Sequence, residues 1–244
     1  MNHRIEVLGL PVDALTIKQL IDRIATLLKE GGQHNVGYLN VHVANKARKH
    51  GTLNQFINEA SIIYCDGSGI KLGAKILGKE LPERMTGADW IWDLADRAES
   101  DGWRIYWIGG EDGVTRLASE VLSKTRPKLQ IGSDHGFHQG DSLSSAIERL
   151  NAFKPDIVLV GMGSPVQEEW VNKWRPEIEA PIVWCLGATA DFISGKTSRG
   201  PEWLYTRAEW LARLVTEPRR LARRYLLGNT AFLGRIILER LRSS

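Results

Sequence analysis

The chain has 244 residues, 43% of them apolar and 25% charged, and a net charge of +3; this composition excludes disordered and fibrous classes and suits one large domain, or a domain with an appendage. No window reaches the roughly 18 apolar residues of a membrane span, and the opening MNHRIEVLGL lacks the apolar core of a signal peptide. Cys65 and Cys185 form no CxxC pair and no disulfide framework, so a protein of the reducing cytoplasm with buried thiols is expected.

In chain order, short β-rich apolar runs appear at IEVLGL, VGYLNV, SIIYC, RIYWIG, KLQIG, DIVLVGMG and PIVWCLGA. Between them lie the helical patterns IKQLIDRIATLLKE, GADWIWDLADRAES, GVTRLASEVLSKT and SLSSAIERLNAF. Strands alternating with helices predict an α/β fold: a Rossmann-like, mostly parallel sheet with helices on both faces. The unbroken apolar run of DIVLVGMG marks a central strand covered on both sides. Such sheets bind ligands beyond the carboxyl ends of their strands. Here those ends carry Asn40, Asp66, Gly109, Gly110, Gly161 and Gly187.

After SRGP the character changes. Residues 199–244 hold ten arginines, no lysine and four glutamates, a charge of +6 against −3 for the preceding 198 residues. EWLYTRAEWLARLVTE has Trp203, Trp210, Leu211, Leu214 and Val215 at near-helical spacing. Pro218 restarts the chain, since proline is tolerated only in a first helical turn, and the remainder reads as an arginine-studded helix with an amphipathic end. The expected organisation is an α/β catalytic domain over residues 1–198 and a basic helical C-terminal appendage over 199–244. Arginines interleaved with Trp, Tyr, Leu and Phe suit an anionic membrane leaflet, where each basic group adds about 1 kcal/mol. Nucleic acid could use the same charge, but the acidic body and missing lysines weigh against it.

Four stretches carry candidate chemistry. In IGGEDGVTRL and GMGSPV the dinucleotide fingerprint G-x-G-x-x-G is broken, once at Ile108 and once at Val166. Asp134 lies where a ribose-binding acid would follow the first turn, so a nicotinamide enzyme stays open beside plain tight turns. In GSPVQEEW, Pro165 with Glu168 and Glu169 suits a helix start whose free N–H groups attract phosphate. Gln167, both donor and acceptor, could reach a sugar or a base edge. SIIYCDGSGI sets Asp66 just past a buried strand, where it is either a general base with its pKa lifted by burial or a turn or capping aspartate. LPERMTGADW supplies Arg84, either a bidentate diphosphate ligand or a solvated surface group, and Asp89 as a first-turn acid. No D-x-D occurs, and His135 and His138 in DHGFH have no Cys or Glu-x-x-His partner, so no metal is expected.

Together CDGSG, LPERMTGAD, IYWIGG, GMGSPVQEEW, GATADFISGKTSRGPEW and EWLARLVTEPRRLARRY resemble the WecG/TagA/CpsF glycosyltransferase family (glycosyltransferase family 26) over nearly the whole chain. The resemblance implies an inverting enzyme that moves a sugar from a UDP-sugar to an undecaprenyl-diphosphate-linked sugar. That reaction belongs to cell-surface polysaccharide synthesis, at the cytoplasmic face of the membrane, with the protein peripherally bound. It implies Asp66 as general base, Arg84 and Gln167 at the diphosphate and donor sugar, and Arg213, Arg220 and Arg223 at the lipid diphosphate. The donor-binding set is then Asn40, Gly109, Gly110, Asp134, Gly161, Gly163 and Asp191, with no cofactor and no divalent metal required.

Two positions depart from the family pattern. Tyr38 stands two residues before Asn40, where the family often has threonine, and RGP at Arg199–Pro201 replaces R-A-P. The donor sugar is left open among N-acetylmannosamine, its uronic acid and glucose, and the oligomeric state is open too. The rival readings are a nicotinamide-dependent oxidoreductase and a non-catalytic peripheral membrane protein.

Overall fold

The β-branched runs IIYC, IVLVG and IVWC are wholly buried, which places them in the middle of a sheet. A computed structural model of the chain describes residues 4–197 and 218–242, with side chains of the second segment from residue 226. Its elements run β1 (Arg4–Val7), β2 (Leu10–Asp13), α1 (Ile17–Glu30), β3 (His34–Leu39), α2 (Val41–Ala47), α3 (Gly51–Glu59), β4 (Ile62–Cys65), α4 (Ser68–Ile76) and α5 (Gly87–Asp101). They continue as β5 (Arg104–Gly109), α6 (Val114–Ser123), β6 (Gln130–Asp134), α7 (Asp141–Ala152), β7 (Ile157–Gly161), α8 (Val166–Trp174), β8 (Ile182–Cys185), α9 (Thr189–Ile193) and α10 (Pro218–Arg242).

The eight strands form one sheet in the order β1-β2-β4-β3-β8-β7-β5-β6. Every neighbouring pair is parallel except β1–β2, so the expected α/β architecture is present. Helices α1, α5, α9 and α6 touch in series, and α2, α3 and α8 form a second chain of contacts; these are the two layers that cover the sheet. In α1 the buried residues Leu20, Ile21, Ile24 and Leu27 recur at helical spacing. Its start is fixed by a capping box, in which Thr16 Oγ1 accepts from Gln19 N and Gln19 Oε1 accepts from Thr16 N.

One strand differs from its sequence reading. IEVLGL is not a single run but the two arms of a hairpin turning at Leu8 and Gly9, with φ of 55° and 72°. Both turn residues take the left-handed conformation that a two-residue connection between twisted strands requires. The hairpin is pinned by Asp13, which is 2% exposed. Arg4 donates to both its oxygens at 2.9 and 2.8 Å, and Ile63 N donates at 2.7 Å.

Helix α10 is one continuous helix of 25 residues that rests on α2 and α4. Phe232 and Ile236 are buried, and Gly73 of α4 leaves them room: a Cβ there would lie 2.9 Å from Phe232 and 3.1 Å from Ile236. Asn45 of α2 donates to Gly228 O at 2.9 Å and accepts from Arg235. No helix of the described residues is long and apolar enough to cross a membrane. Phe232→Ala should cost about 3 kcal/mol of docking free energy. The expected readout is faster amide exchange across residues 226–242 with the central strands unchanged.

Candidate active site

The strands of the first half leave β3 toward β4, while those of the second half leave β5 toward β6, so the connections diverge about β8 and open a crevice at the carboxyl ends. A cavity of about 620 Å³ occupies it, lined from the ends of six strands. Close approach of backbone shapes its floor. Gly109 pairs with Gly161, and a Cβ on Gly109 would lie 2.3 Å from Gly161 O, at a φ of +146°. Gly161 in turn faces Gly187 O, 2.8 Å from where its own Cβ would stand. Side chains at Gly109 or Gly161 would force three neighbouring strand ends apart.

Asp66 enters the cavity from the end of β4 and Asn40 from the end of β3. The parallel register pairs Tyr38 with Tyr64 and Leu39 with Cys65, so the next residue of each strand comes level. Asn40 Nδ2 donates to Asp66 Oδ2 at 2.8 Å, while Asn40 Oδ1 accepts from Val43 N and caps α2. Asp66 N donates to Leu39 O at 2.9 Å, which fixes the backbone beneath the carboxylate. Asp66 therefore is not the cap of α4; that position falls to Gly67. The neighbouring Cys65 thiol is pushed up to about 12 by burial, with the Asp66 charge adding to it, which keeps it a protonated, inert neighbour.

The remaining site residues read from the sequence divide into three groups. Gly110, Gly161, Gly163 and Asp191 line the same cavity as Asn40 and Asp66. Gly109, Arg84, Gln167 and Asp134 do not line it. Gly109 is packed under Gly161. Arg84 donates to Asp89 Oδ2 at 3.2 Å on the flank of the pocket, and Asp89 completes a capping box with Thr86 at the start of α5. Gln167 is fully buried. Its Nε2 donates to Glu168 Oε1 at 2.7 Å and its Oε1 accepts from Gly187 N at 3.0 Å, so it ties the β8 turn to the start of α8 from below. Asp134 receives Arg149 at 2.5 Å and His138 at 2.7 Å. Burial works against its ionised form, but those donors outweigh it and hold the carboxyl below its usual range. It anchors the loop after β6. Arg213 lies outside the described residues; Arg220 and Arg223 fall in α10 where only the backbone is described.

Asp134, His135 and His138 are the one group among the described residues whose donor atoms could converge on a cation. Their atoms already serve one another: the carboxylate carries Arg149 and His138, and His135 Nδ1 accepts from Phe137 N at 3.2 Å. Sequence reasoning also passed over Lys196, which lines the cavity and pairs with Glu111 at 2.9 Å and Asp191 at 3.8 Å. The signal was the SGK that follows ADFI, where a lysine three residues past a helix end can turn back over the site.

Glu168, read as an acid that favours the helix start, is 3% exposed. Its Oε1 accepts from Ser164 and Gln167, both at 2.7 Å, and its Oε2 has no partner. Burial raises its carboxyl above the ordinary 4.5 despite those two donors. Stability from the neutral form is thus present below the ordinary value and lost as pH rises through the folded-state value. Glu168→Gln keeps the accepting oxygen and removes the titration. The variant should gain on the wild type between about pH 4.5 and 8 in urea unfolding; an offset that is the same at both ends would refute the assignment.

Residues 5–244 match the Glycosyl transferase WecG/TagA/CpsF family. Similar proteins include the N-acetylglucosaminyldiphosphoundecaprenol N-acetyl-beta-D-mannosaminyltransferases of Staphylococcus aureus strains NCTC 8325, COL and MRSA252. Each is 25% identical over 224 residues, covering 90% of this chain and 87% of the relative. With the family matched from the first strand to the last helix, the chain belongs to the WecG/TagA/CpsF family and is a glycosyltransferase.

Proposed function

We propose that this enzyme transfers an N-acetylmannosamine-type sugar from a UDP-sugar to an undecaprenyl-diphosphate-linked N-acetylglucosamine, inverting the anomeric centre. Membership of a glycosyltransferase family sets aside the nicotinamide and non-catalytic readings. The activity for which the Staphylococcus aureus relatives are named favours N-acetylmannosamine over glucose as the donor sugar. The observation that carries the reading is the Asn40–Asp66 pair inside a cavity that six parallel strand ends line.

In this mechanism Asp66 takes the proton of the acceptor hydroxyl as that oxygen attacks the anomeric carbon. The new C–O bond forms on the face opposite UDP, and the bond to the β-phosphate oxygen breaks with its electron pair. Asn40 orients one carboxylate oxygen of Asp66, which lines the cavity. The leaving diphosphate gathers negative charge, which the N–H groups of the Gly161–Ser164 turn and the start of α8 would meet. Lys196 adds a cation at the rim, and Arg84 stands on the flank. The reaction needs no cofactor, and the reading requires no divalent metal. The arginines of the appendage, Arg213, Arg220 and Arg223, are assigned to the lipid diphosphate, with the protein held peripherally at the cytoplasmic leaflet by the basic segment.

The test is UDP release from UDP-N-acetylmannosamine with a short-chain prenyl-diphosphate-N-acetylglucosamine. Asp66→Asn should lower kcat about 10²- to 10⁴-fold while thermal stability stays close to wild type, because the amide can still accept from Asn40. Undiminished turnover in that variant would remove Asp66 from the base role.

A further inference from the structure

The geometry points to Tyr38 as the residue that gauges the donor sugar, its ring forming the floor of the sugar subsite and its hydroxyl oxygen accepting from a sugar N–H or O–H. The assignment rests on the glycosyltransfer reading above and adds a specificity-determining contact to it. Tyr38 lies on β3 two residues before Asn40, so both side chains leave the same face of the strand. It lines the cavity although only 9% of it is exposed. Across the parallel register stands Tyr64, two residues before Asp66, with ring centroids 6.1 Å apart. The two phenols therefore form an aromatic step directly beneath the Asn40–Asp66 pair. Behind them Trp90 and Trp184 stack at 4.1 Å, so the step is backed by a rigid, fully buried layer.

The hydroxyl is oriented as well as placed. It stands 3.3 Å from Ser164 Oγ, and Ser164 donates its own proton to Glu168 Oε1 at 2.7 Å. The serine oxygen can then only accept from Tyr38, so the phenol proton points toward Ser164. Gln167 Nε2 touches the phenol oxygen at 3.5 Å, its shorter bond being the one to Glu168. With its proton toward Ser164 and one lone pair facing Gln167, the phenol oxygen keeps a second lone pair, and Tyr38 lines the cavity. The chain ends on a carboxylate, which polarises the phenol oxygen toward accepting. Burial, with the charges of Glu168 and Asp66, raises the phenol well above its ordinary value, so it stays protonated and keeps this direction. Nor can the ring retreat. A Cβ on Gly187 would come within 2.9 Å of the hydroxyl, and Gly187 N is held by Gln167 at 3.0 Å.

A sugar whose anomeric carbon meets an acceptor at Asp66 must lie over this step. Its 2-acetamido N–H, or a hydroxyl in its place, is the chemical class of donor that the phenol oxygen accepts. The deciding experiment measures calorimetric affinities for UDP and for UDP-N-acetylmannosamine on the full chain, with no acceptor present. Tyr38→Phe should leave UDP affinity within twofold and weaken the UDP-sugar about tenfold, the size of one hydrogen bond to a polar group. In turnover the donor KM should rise while kcat changes less than threefold. Tyr38→Thr carries the residue common in the family and removes the ring. It should admit a UDP-sugar with a bulkier N-propanoyl group that wild type disfavours at least tenfold. Equal loss for UDP and UDP-sugar in Tyr38→Phe, or an unchanged N-acyl preference in Tyr38→Thr, would make Tyr38 structural and overturn the assignment. A wild-type chain that binds neither UDP nor the UDP-sugar would instead overturn the glycosyltransfer reading itself.

Discussion

One amide ties the end of β3 to the end of β4 and orients the carboxylate between them. Asn40 sits at the end of β3 and uses its carbonyl oxygen to cap α2 while its NH₂ group holds Asp66. The two ends of the amide cannot exchange these tasks, because a backbone N–H needs an acceptor and an ionised carboxylate needs a donor. The start of α2 and the Asp66 carboxylate therefore orient one another. That arrangement depends on the β3–β4 register, since a slip of one residue would turn both side chains to the opposite face of the sheet. The core residues on these strands, Val36, Leu39, Ile62 and Ile63, are all wholly buried and hold the register in place.

The rest of the cavity is built from backbone. Parallel strands ending level with one another present their last residues to one crevice, and glycines at Gly109, Gly161 and Gly187 let those ends crowd. Crowding brings peptide N–H groups to the cavity floor, where on the proposed reading their dipoles would supplement a small number of cations. Among the lining side chains Lys196 supplies positive charge, and it already neutralises Glu111 and Asp191. The layer beneath is polar: Gln167, Ser164, Glu168 and Tyr38 hydrogen-bond to one another under the turn and leave Glu168 Oε2 without a partner, so the turn is supported by hydrogen bonds as well as by apolar contact.

What the sequence disclosed follows from which interactions are local. The strand runs SIIYC, DIVLVGMG and PIVWCLGA and the helices at IKQLIDRIATLLKE and GADWIWDLADRAES have burial patterns set by their own periodicity, and each is present near its read position. Glycine at strand ends also announced the cavity, because tight βα turns require it whatever the ligand. Partnerships across the fold were not legible. Asp134 stood where a ribose-binding acid belongs, yet Arg149, fifteen residues away on α7, claims its carboxylate. Glu168 reads as a helix-start acid until α8 is seen to turn it inward. The short helices α2, α3 and α4 have no long amphipathic repeat to reveal them. The hairpin at Leu8–Gly9 was hidden because a single glycine after an apolar run fits a strand end as readily as a turn.

The C-terminal helix connects these two themes. It rests on α2 and α4; α2 begins immediately after Asn40 and α4 two residues after Asp66. Asn45 of α2 holds the backbone of α10 at Gly228 and receives Arg235, while Gly73 of α4 seats Phe232 and Ile236. A short, packed helix moves as a body, so a displacement of α10 would reach the acid and the amide through two separate levers.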